Sequence, residues 1–409
     1  MTVARLALLV VAVAGATLRP RRIPAFLAPV ACVLIALLSG LASWHETSHA
    51  LSPLLAPLAF LLTAIPLAVL LDRLGYFEQL AALFGNGRWL VPGLWLLGTG
   101  TVAVLNLDAA VVLLTPLYFR IASRHGLPAR FVCFQPVVLA LLASSFLPVS
   151  NLTNLIASAR FGIGPLEWFE HLGAPAAVAC TVGYLCYRGA TRLAGDSGAP
   201  VSDDEESATS ATARDGSVLA GGSVVVGLVL VGFLVGPSIG VRAWEVALAA
   251  DLVLVASSKR LPLRSVPWET ALVAAGLGVL ATAAVQGVDL SSLLAGSGPL
   301  AMIRAAAVSA GGANVVNNLP ALLVALPSVA GAGGRATCQL WPIVLGVNAG
   351  PGLLITGSLS TLLWVDSMRR LGAPVTAGVF CRMGLRVVIP AAVAALAVLV
   401  AFAPLLGCG

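Results

Sequence analysis

Residues 311–327 read GGANVVNNLPALLVALP, a polar interruption within a long apolar region. The stretch contains three amides, Asn314, Asn317 and Asn318, with two glycines before them and Pro320 after them. Glycine and proline disfavour a continuous helix, and an unpaired backbone group at membrane depth is costly. Such a segment is tolerated only where it is buried in protein or lines a cavity, so it predicts a helix break that serves a function.

The rest of the composition indicates a membrane protein. The chain has 409 residues, of which 59% are hydrophobic and 10% are charged, whereas a soluble domain has about 25% charged residues. Apolar runs long enough to span a bilayer recur along the whole chain, which predicts an all-α polytopic membrane protein. The first run, LALLVVAVAGATL, resembles a signal peptide, but a matching run begins the second half and favours a span.

The seven cysteines form no CxxC pair, and most of them lie in apolar runs. A free cysteine in such a run behaves as a small hydrophobic residue. We therefore expect no disulfide framework, no metal cluster and no cofactor.

An acidic segment at 194–217 is rich in Ser, Ala and Gly and predicts a flexible linker. It separates two halves, 1–193 and 218–409, that resemble each other. In the first half, the polar insertion NLD (106–108) precedes PVSNLTN (148–154) by about 40 residues. In the second half, NVVNNLP (314–320) precedes GVNAGPGLLITGSLST (346–361) by a similar interval, and the offset between the halves is about 210 residues.

The distribution of arginine and lysine predicts the topology. We expect about five spans and one re-entrant hairpin in each half, with hairpins at about 89–117 and 298–330 and broken helices at about 131–159 and 338–366. This arrangement places 16 basic residues on one side of the membrane and 4 on the other, whereas fully crossing hairpins would give 9 and 11. The positive-inside rule then predicts a cytoplasmic linker and both termini outside. An odd number of crossings makes the halves inverted repeats with broken helices near the midplane, as in secondary transporters.

The polar insertions predict a binding site for a small polar solute, because amides and hydroxyls both donate and accept hydrogen bonds. One such amide alone would more simply be an interhelical contact, but four repeat-related insertions favour a site. Asp108 is the carboxylate within these insertions, and we assign it to proton coupling. The predicted substrate-binding residues are Asn106, Ser150, Asn151, Asn154, Asn314, Asn317, Asn318, Asn348, Gly357, Ser358 and Thr361. Asp251 and Asp366 are weaker candidates for a titrating group, and Asp251 could pair with Arg304.

The sequence HETSH at 45–49 matches the H-E-x-x-H zinc motif formally. It would place His45, Glu46 and His49 together and suggests an intramembrane zinc protease as an unfavoured alternative. The motif falls in a predicted short external loop without a convincing third ligand, so we expect a polar loop and no metal site.

Several motifs together resemble the ArsB-type arsenite permeases of the ion transporter superfamily. They are LLLDRLGYFEQLAALFGNGR, LNLDAAVVLLTPL, LPVSNLTNLIAS, VVNNLPALL and GPGLLITGSLSTLLWVDSMRRLG, from about residue 68 to the C-terminus. In that pattern Asn106 and Asp108 would form the first hairpin tip. Leu107 stands where the family has Asn directly before Asp, and Asn348 stands where an acidic residue is expected.

The resemblance implies a bacterial inner-membrane exporter of arsenite and antimonite. The family works as a proton antiporter alone or with a soluble ArsA-type ATPase, and both modes stay open here. Arsenite is mainly a neutral trihydroxide near neutral pH, so we expect hydrogen bonding by amides and hydroxyls and alternating access. A sodium–proton antiporter or a small-anion carrier on the same scaffold is the runner-up, and no nucleic-acid partner is expected.

Overall fold

The computed structural model describes residues 2–17, 23–85, 87–193, 216–259, 262–285, 290–330 and 338–408, which are almost entirely helical. The predicted linker lies outside the described residues, except for Gly216 and Ser217 at the start of a helix.

The first half contains eleven helices within the described residues. They are α1 (Thr2–Thr17), α2 (Leu27–Leu38), α3 (Trp44–Leu51), α4 (Leu55–Arg73), α5 (Tyr76–Ala82), α6 (Leu90–Leu105), α7 (Leu107–Arg124), α8 (Ala129–Val132), α9 (Phe134–Leu142), α10 (Leu152–Phe161) and α11 (Pro165–Leu193).

The second half repeats this order with ten described helices. They are α12 (Gly216–Val235), α13 (Ala243–Ser258), α14 (Trp268–Val285), α15 (Ser291–Leu294), α16 (Gly298–Val316), α17 (Asn318–Ala325), α18 (Leu340–Ala349), α19 (Leu359–Arg370), α20 (Ala377–Met383) and α21 (Ile389–Phe402). A π-helix, Gly384–Val388, joins α20 to α21.

Each half contains a helical hairpin with an asparagine at its tip. Helices α6 and α7 are joined by Asn106, and the Tyr118 hydroxyl donates to the Leu94 carbonyl across them. Both of these residues are twelve positions from Asn106, so the two helices run antiparallel. Helices α16 and α17 fold back around Asn317 in the same way, with Gly312 beside Ala321.

Each half also contains a broken helix, formed by α9 and α10 in the first half and by α18 and α19 in the second. Two short 3₁₀ turns replace the α-helix at each break, at 143–145 and 148–150 and at 350–352 and 355–357. Asn151 has φ −148° and ψ 141°, and Ser358 at the equivalent position has φ −146° and ψ 147°. The two breaks therefore share one backbone conformation, as expected for repeats.

The halves interlock through their outer helices. Helices α1 and α2 pack against α14 of the second half, while α12 and α13 pack next to α4 and α5 of the first. Helices α11 and α21 pack extensively against each other. These outer helices of both halves form a helical scaffold around the hairpins and broken helices.

Four helical segments of the described chain are long and apolar enough to cross a membrane: 44–73, 216–239, 298–316 and 377–406. Further apolar helices are shorter. Large apolar side chains such as Val3, Leu38 and Leu405 are more than four-fifths exposed, as expected of a surface that faces lipid. The prediction of an all-α polytopic membrane protein is confirmed.

Two side-chain expectations were wrong. Cys338 and Cys408 form a disulfide, with their Cα atoms 5.5 Å apart, although no disulfide was expected from their spacing of 70 residues. The bond links the beginning of the second broken helix to the end of the chain. Among the described residues Asp251 forms no ion pair, and Arg304 instead donates to the Ala295 carbonyl at 2.6 Å.

Candidate functional site

Asn106 and Asn317 shape the two hairpin tips. Their φ values of 115° and 77°, with ψ near 150°, lie in a region that is nearly exclusive to glycine. Each side-chain oxygen accepts a hydrogen bond from the backbone N–H two residues later, at 2.8 Å for Asp108 and 3.4 Å for Leu319. The amide therefore caps the second helix of its own hairpin while the backbone reverses direction.

The amides of the second hairpin mainly bind backbone. Asn314 donates to the Gly350 carbonyl and accepts from the Leu354 N–H at 3.0 Å, which ties α16 to the second break. Asn317 donates to the Thr356 carbonyl at 3.3 Å. Asn318 accepts from the neighbouring backbone N–H. Asn314 and Asn317 thus hold the tip against the break, whereas the Asn318 bond stays within α17.

Asp108 lies in the first turn of α7 and is 7% exposed. Helix α7 packs against α19, and the Ser360 side chain lies against the Asp108 carboxyl group. The Ser358 and Ser360 hydroxyl oxygens are 2.7 Å apart. In the described part of the chain no basic side chain pairs with Asp108. A carboxyl group thus meets a cluster of hydroxyls where the first hairpin contacts the second break.

Two polar atoms close to this cluster in the sequence are buried without a hydrogen-bond partner among the described residues. They are the Asn106 side-chain nitrogen on the first tip and the Thr361 hydroxyl on α19. Buried polar groups are normally paired, so each such atom requires an explanation. Both atoms belong to segments that meet where α7 packs against α19, which makes this junction the candidate binding site.

The first break is different, because its polar side chains bond to backbone carbonyls and to Asn348. Ser150 donates to the Ala103 carbonyl at 2.8 Å. Asn154 donates to the Ser144 and Leu147 carbonyls, at 2.6 and 3.2 Å. Asn151 and Asn154 also bond to Asn348 from the second half, at 2.9 and 3.0 Å. These predicted residues do come together, but their side chains are hydrogen-bonded within the protein.

Gly357 has a steric role in the structure. A Cβ atom added there would lie 2.9 Å from the Pro351 Cα and 3.3 Å from the Ala313 carbonyl oxygen. The second break therefore packs tightly against itself and against α16. Glycine permits this close approach.

Three residues that the sequence interpretation missed belong to these clusters: Ser360 beside Asp108, and Ser145 and Thr153 beside Asn348. Thr153 at the start of α10 and Ser360 at the start of α19 are weak signals, since Ser and Thr often bond to their own helix. Their partners lie on distant parts of the chain, which sequence spacing does not reveal.

The HETSH segment lies in helix α3, so the expectation of a loop was wrong, and helix capping accounts for its glutamate. Ser43 and Glu46 form a capping box at the start of α3, with bonds of 3.1 and 2.7 Å, and Arg5 lies 3.9 Å from Glu46. The rings of His45 and His49 are 6.5 Å apart. Within the described residues no group of three potential ligands could hold a metal ion.

The sequence profile of the citrate transporter family, CitMHS, matches residues 4–350. The chain belongs to this family. It is 27% identical over 400 residues to the arsenical pump membrane protein of Yersinia enterocolitica, covering 90% of this chain and 91% of that one. It is also 27% identical over 372 residues to the arsenical pump membrane protein of Escherichia coli K12, covering 83% and 85%. The YdaH transporter structure from Alcanivorax borkumensis matches with a TM-score of 0.49 and 15% identity, covering 92% of this chain and 89% of that one.

The family match and these relatives confirm the resemblance to ArsB-type permeases over most of the chain. They are named as membrane transporters, so the prediction of a transporter and not an enzyme is confirmed as well.

Proposed function

We propose that the chain exports arsenite and antimonite from the cytoplasm in exchange for protons. The observation that supports this most directly is a pair of buried atoms, the Asn106 nitrogen and the Thr361 hydroxyl, which have no hydrogen-bond partner among the described residues and belong to the segments that carry Asp108 and Ser360. The relatives named arsenical pump membrane proteins supply the substrate class.

The chemistry of the junction suits a neutral trihydroxide. Arsenious and antimonious acids have three hydroxyl groups, each of which donates and accepts. Asn106 offers a donor, and Ser358, Ser360 and Thr361 offer groups that donate or accept. A neutral solute needs no compensating charge, in keeping with a site where no basic side chain of the described residues pairs with the carboxyl group.

Asp108 is the proposed proton carrier. Ionisable residues inside membranes are rare and mark proton or ion pathways. The carboxyl group contacts Ser360, which belongs to the same hydroxyl cluster as the proposed substrate site. Proton binding at Asp108 would therefore change the hydrogen bonds that the substrate meets, and this couples the two ligands.

Alternating access would follow from movement of the hairpins and broken helices against the scaffold. The four helix N-termini at Asn106, Asn151, Asn317 and Ser358 belong to this inner unit. We further propose that the protein lies in the bacterial inner membrane with the linker in the cytoplasm. The Cys338–Cys408 disulfide supports an external C-terminus, because disulfides persist in the oxidising periplasm.

A small-anion carrier is the second candidate, because the matching family is described by citrate transport. Helix N-termini also favour anions. An anion site would require a basic residue near the tips, yet Arg304 is exposed and bonds to Ala295 near the beginning of α16. A sodium–proton antiporter would likewise use Asp108. The neutral solute is therefore preferred, and citrate and sodium are the competitors to test.

A growth experiment tests the proposal. The chain is expressed in a bacterium that lacks its own arsenite exporters, with and without a co-expressed ArsA-type ATPase. We expect survival at higher arsenite concentrations and less arsenic per cell, with the chain alone sufficient. Unchanged cellular arsenic at verified membrane expression would reject arsenite export, and a citrate or sodium phenotype would support the competitors.

A further inference from the structure

Asn348 is buried where the two halves of the chain meet. It is the penultimate residue of α18, just before the second break, and is 2% exposed. Its side chain does not point to its own break but contacts the first break, about 200 positions earlier in the sequence.

All four hydrogen-bonding positions of this amide are filled. The oxygen accepts from the Asn151 nitrogen at 2.9 Å and from the Thr153 hydroxyl at 3.2 Å. The nitrogen donates to the Ser145 hydroxyl and to the Asn154 oxygen, both at 3.0 Å. A residue with no free donor or acceptor is poorly suited to hold a substrate in this conformation.

The repeat lacks a counterpart of this contact. Superposing the two breaks by their 3₁₀ turns pairs Asn348 with Leu141 and Asn154 with Thr361. Leu141 cannot hydrogen-bond through its side chain, and the Thr361 hydroxyl is buried without a partner in the described residues. The Asn154 amide, in contrast, makes three hydrogen bonds. The breaks therefore differ at two positions, with Asn348 and Asn154 in this contact and Leu141 and Thr361 in the equivalent places.

We propose that Asn348 is a positioning residue that fastens the first break to α18 and keeps the polar side chains of that break out of the substrate site. Helix α18 and the start of α10 then move as one unit during transport. The test of this inference by arsenite transport rests on the proposed function, whereas its test by melting temperature rests on the contacts alone.

A double-mutant cycle between Asn348 and Ser145 tests the inference. Initial rates of arsenite uptake are measured in everted vesicles for Asn348→Ala, Ser145→Ala and the double variant, normalised to the amount of protein. We expect Asn348→Ala to lower Vmax at least about tenfold, equivalent to ~1.4 kcal/mol, with KM changed less than about twofold, because substrate contacts are intact. Ser145→Ala should lower Vmax less, and should add nothing in the Asn348→Ala background.

Thr63→Val is the matched control, since Thr63 bonds only to its own helix at 3.1 Å and should transport normally. A rise in KM at unchanged Vmax for Asn348→Ala would overturn the inference, because it would make Asn348 a substrate ligand. Full activity of that variant would overturn it too.

Melting temperatures of the purified variants test the inference even if a variant folds poorly or the wild-type chain transports no arsenite. If the wild-type chain moves no arsenite, the proposed function is rejected, and the same cycle is measured on melting temperature. Non-additive shifts would then support the contact, and additive shifts would overturn it.

Discussion

Replacing Asn106 with glycine separates the backbone strain at the first hairpin tip from the function of the amide. Asn106 has φ 115°, and such conformations cost non-glycine residues about 1–3 kcal/mol. Glycine removes that cost. The lost cap costs only a few tenths of a kcal/mol, and the greater freedom of glycine in the unfolded chain costs about 0.5–1 kcal/mol. We therefore expect Asn106→Gly to be equally stable or more stable, by up to about 2 kcal/mol.

Asn317→Gly is the matched variant at the second tip. Its backbone change is similar, but the Asn317 nitrogen donates to the Thr356 carbonyl, whereas the Asn106 nitrogen has no partner in the described residues. Losing that bond costs about 1 kcal/mol. Asn106→Gly should thus be the more stable of the two by about 1 kcal/mol in unfolding titrations of purified protein in detergent micelles.

The two variants should rank in the opposite order for transport, with Asn106→Gly losing more arsenite uptake than Asn317→Gly. Asn106→Gly removes a proposed substrate donor and should lose most arsenite uptake despite its stability. If Asn106→Gly is less stable than Asn317→Gly, or if it transports arsenite normally, the Asn106 amide does not bind the substrate.

Three further outcomes follow from the packing. Gly384→Ala should sharply lower the amount of folded protein in membranes on immunoblots, because its Cβ would clash with a carbonyl of the second break, whereas Gly378→Ala meets open space and should not. Cys338→Ser and Cys408→Ser should each expose one thiol to maleimide, lose about 2–4 kcal/mol of stability and show no further loss when combined. Thr361→Val removes a buried hydroxyl that has no partner among the described residues, so stability should hold or rise, while the KM for arsenite in vesicle uptake should increase; an unchanged KM would exclude Thr361 from the site.

The main helix breaks could be predicted from the sequence because a break depends mainly on the residue types at the break itself. Glycine, proline and the asparagines of NVVNNLP indicated a break where Asn317 ends α16, and NLD indicated the one at Asn106. Composition and the repeated order of motifs were sufficient for an all-α membrane protein.

Contacts between distant segments could not be predicted in the same way. The amide of Asn348 meets residues of the other repeat, and Cys338 meets Cys408 across 70 residues. Nothing near these residues in the sequence identifies their partners. The sequence pattern also suggested equal roles for all the amides, whereas Asn314 and Asn154 bind backbone.

Arsenite uptake by Asp108→Asn tests the central claim most directly. The substitution preserves the shape of a side chain that is 7% exposed but prevents it from exchanging a proton. Everted vesicles containing wild-type chain or Asp108→Asn are given an interior-acid pH gradient, and arsenic uptake is measured with and without an uncoupler. We predict gradient-driven uptake by the wild type that the uncoupler abolishes, and no gradient-driven uptake by Asp108→Asn at equal protein levels. Full gradient-driven uptake by Asp108→Asn would contradict the account.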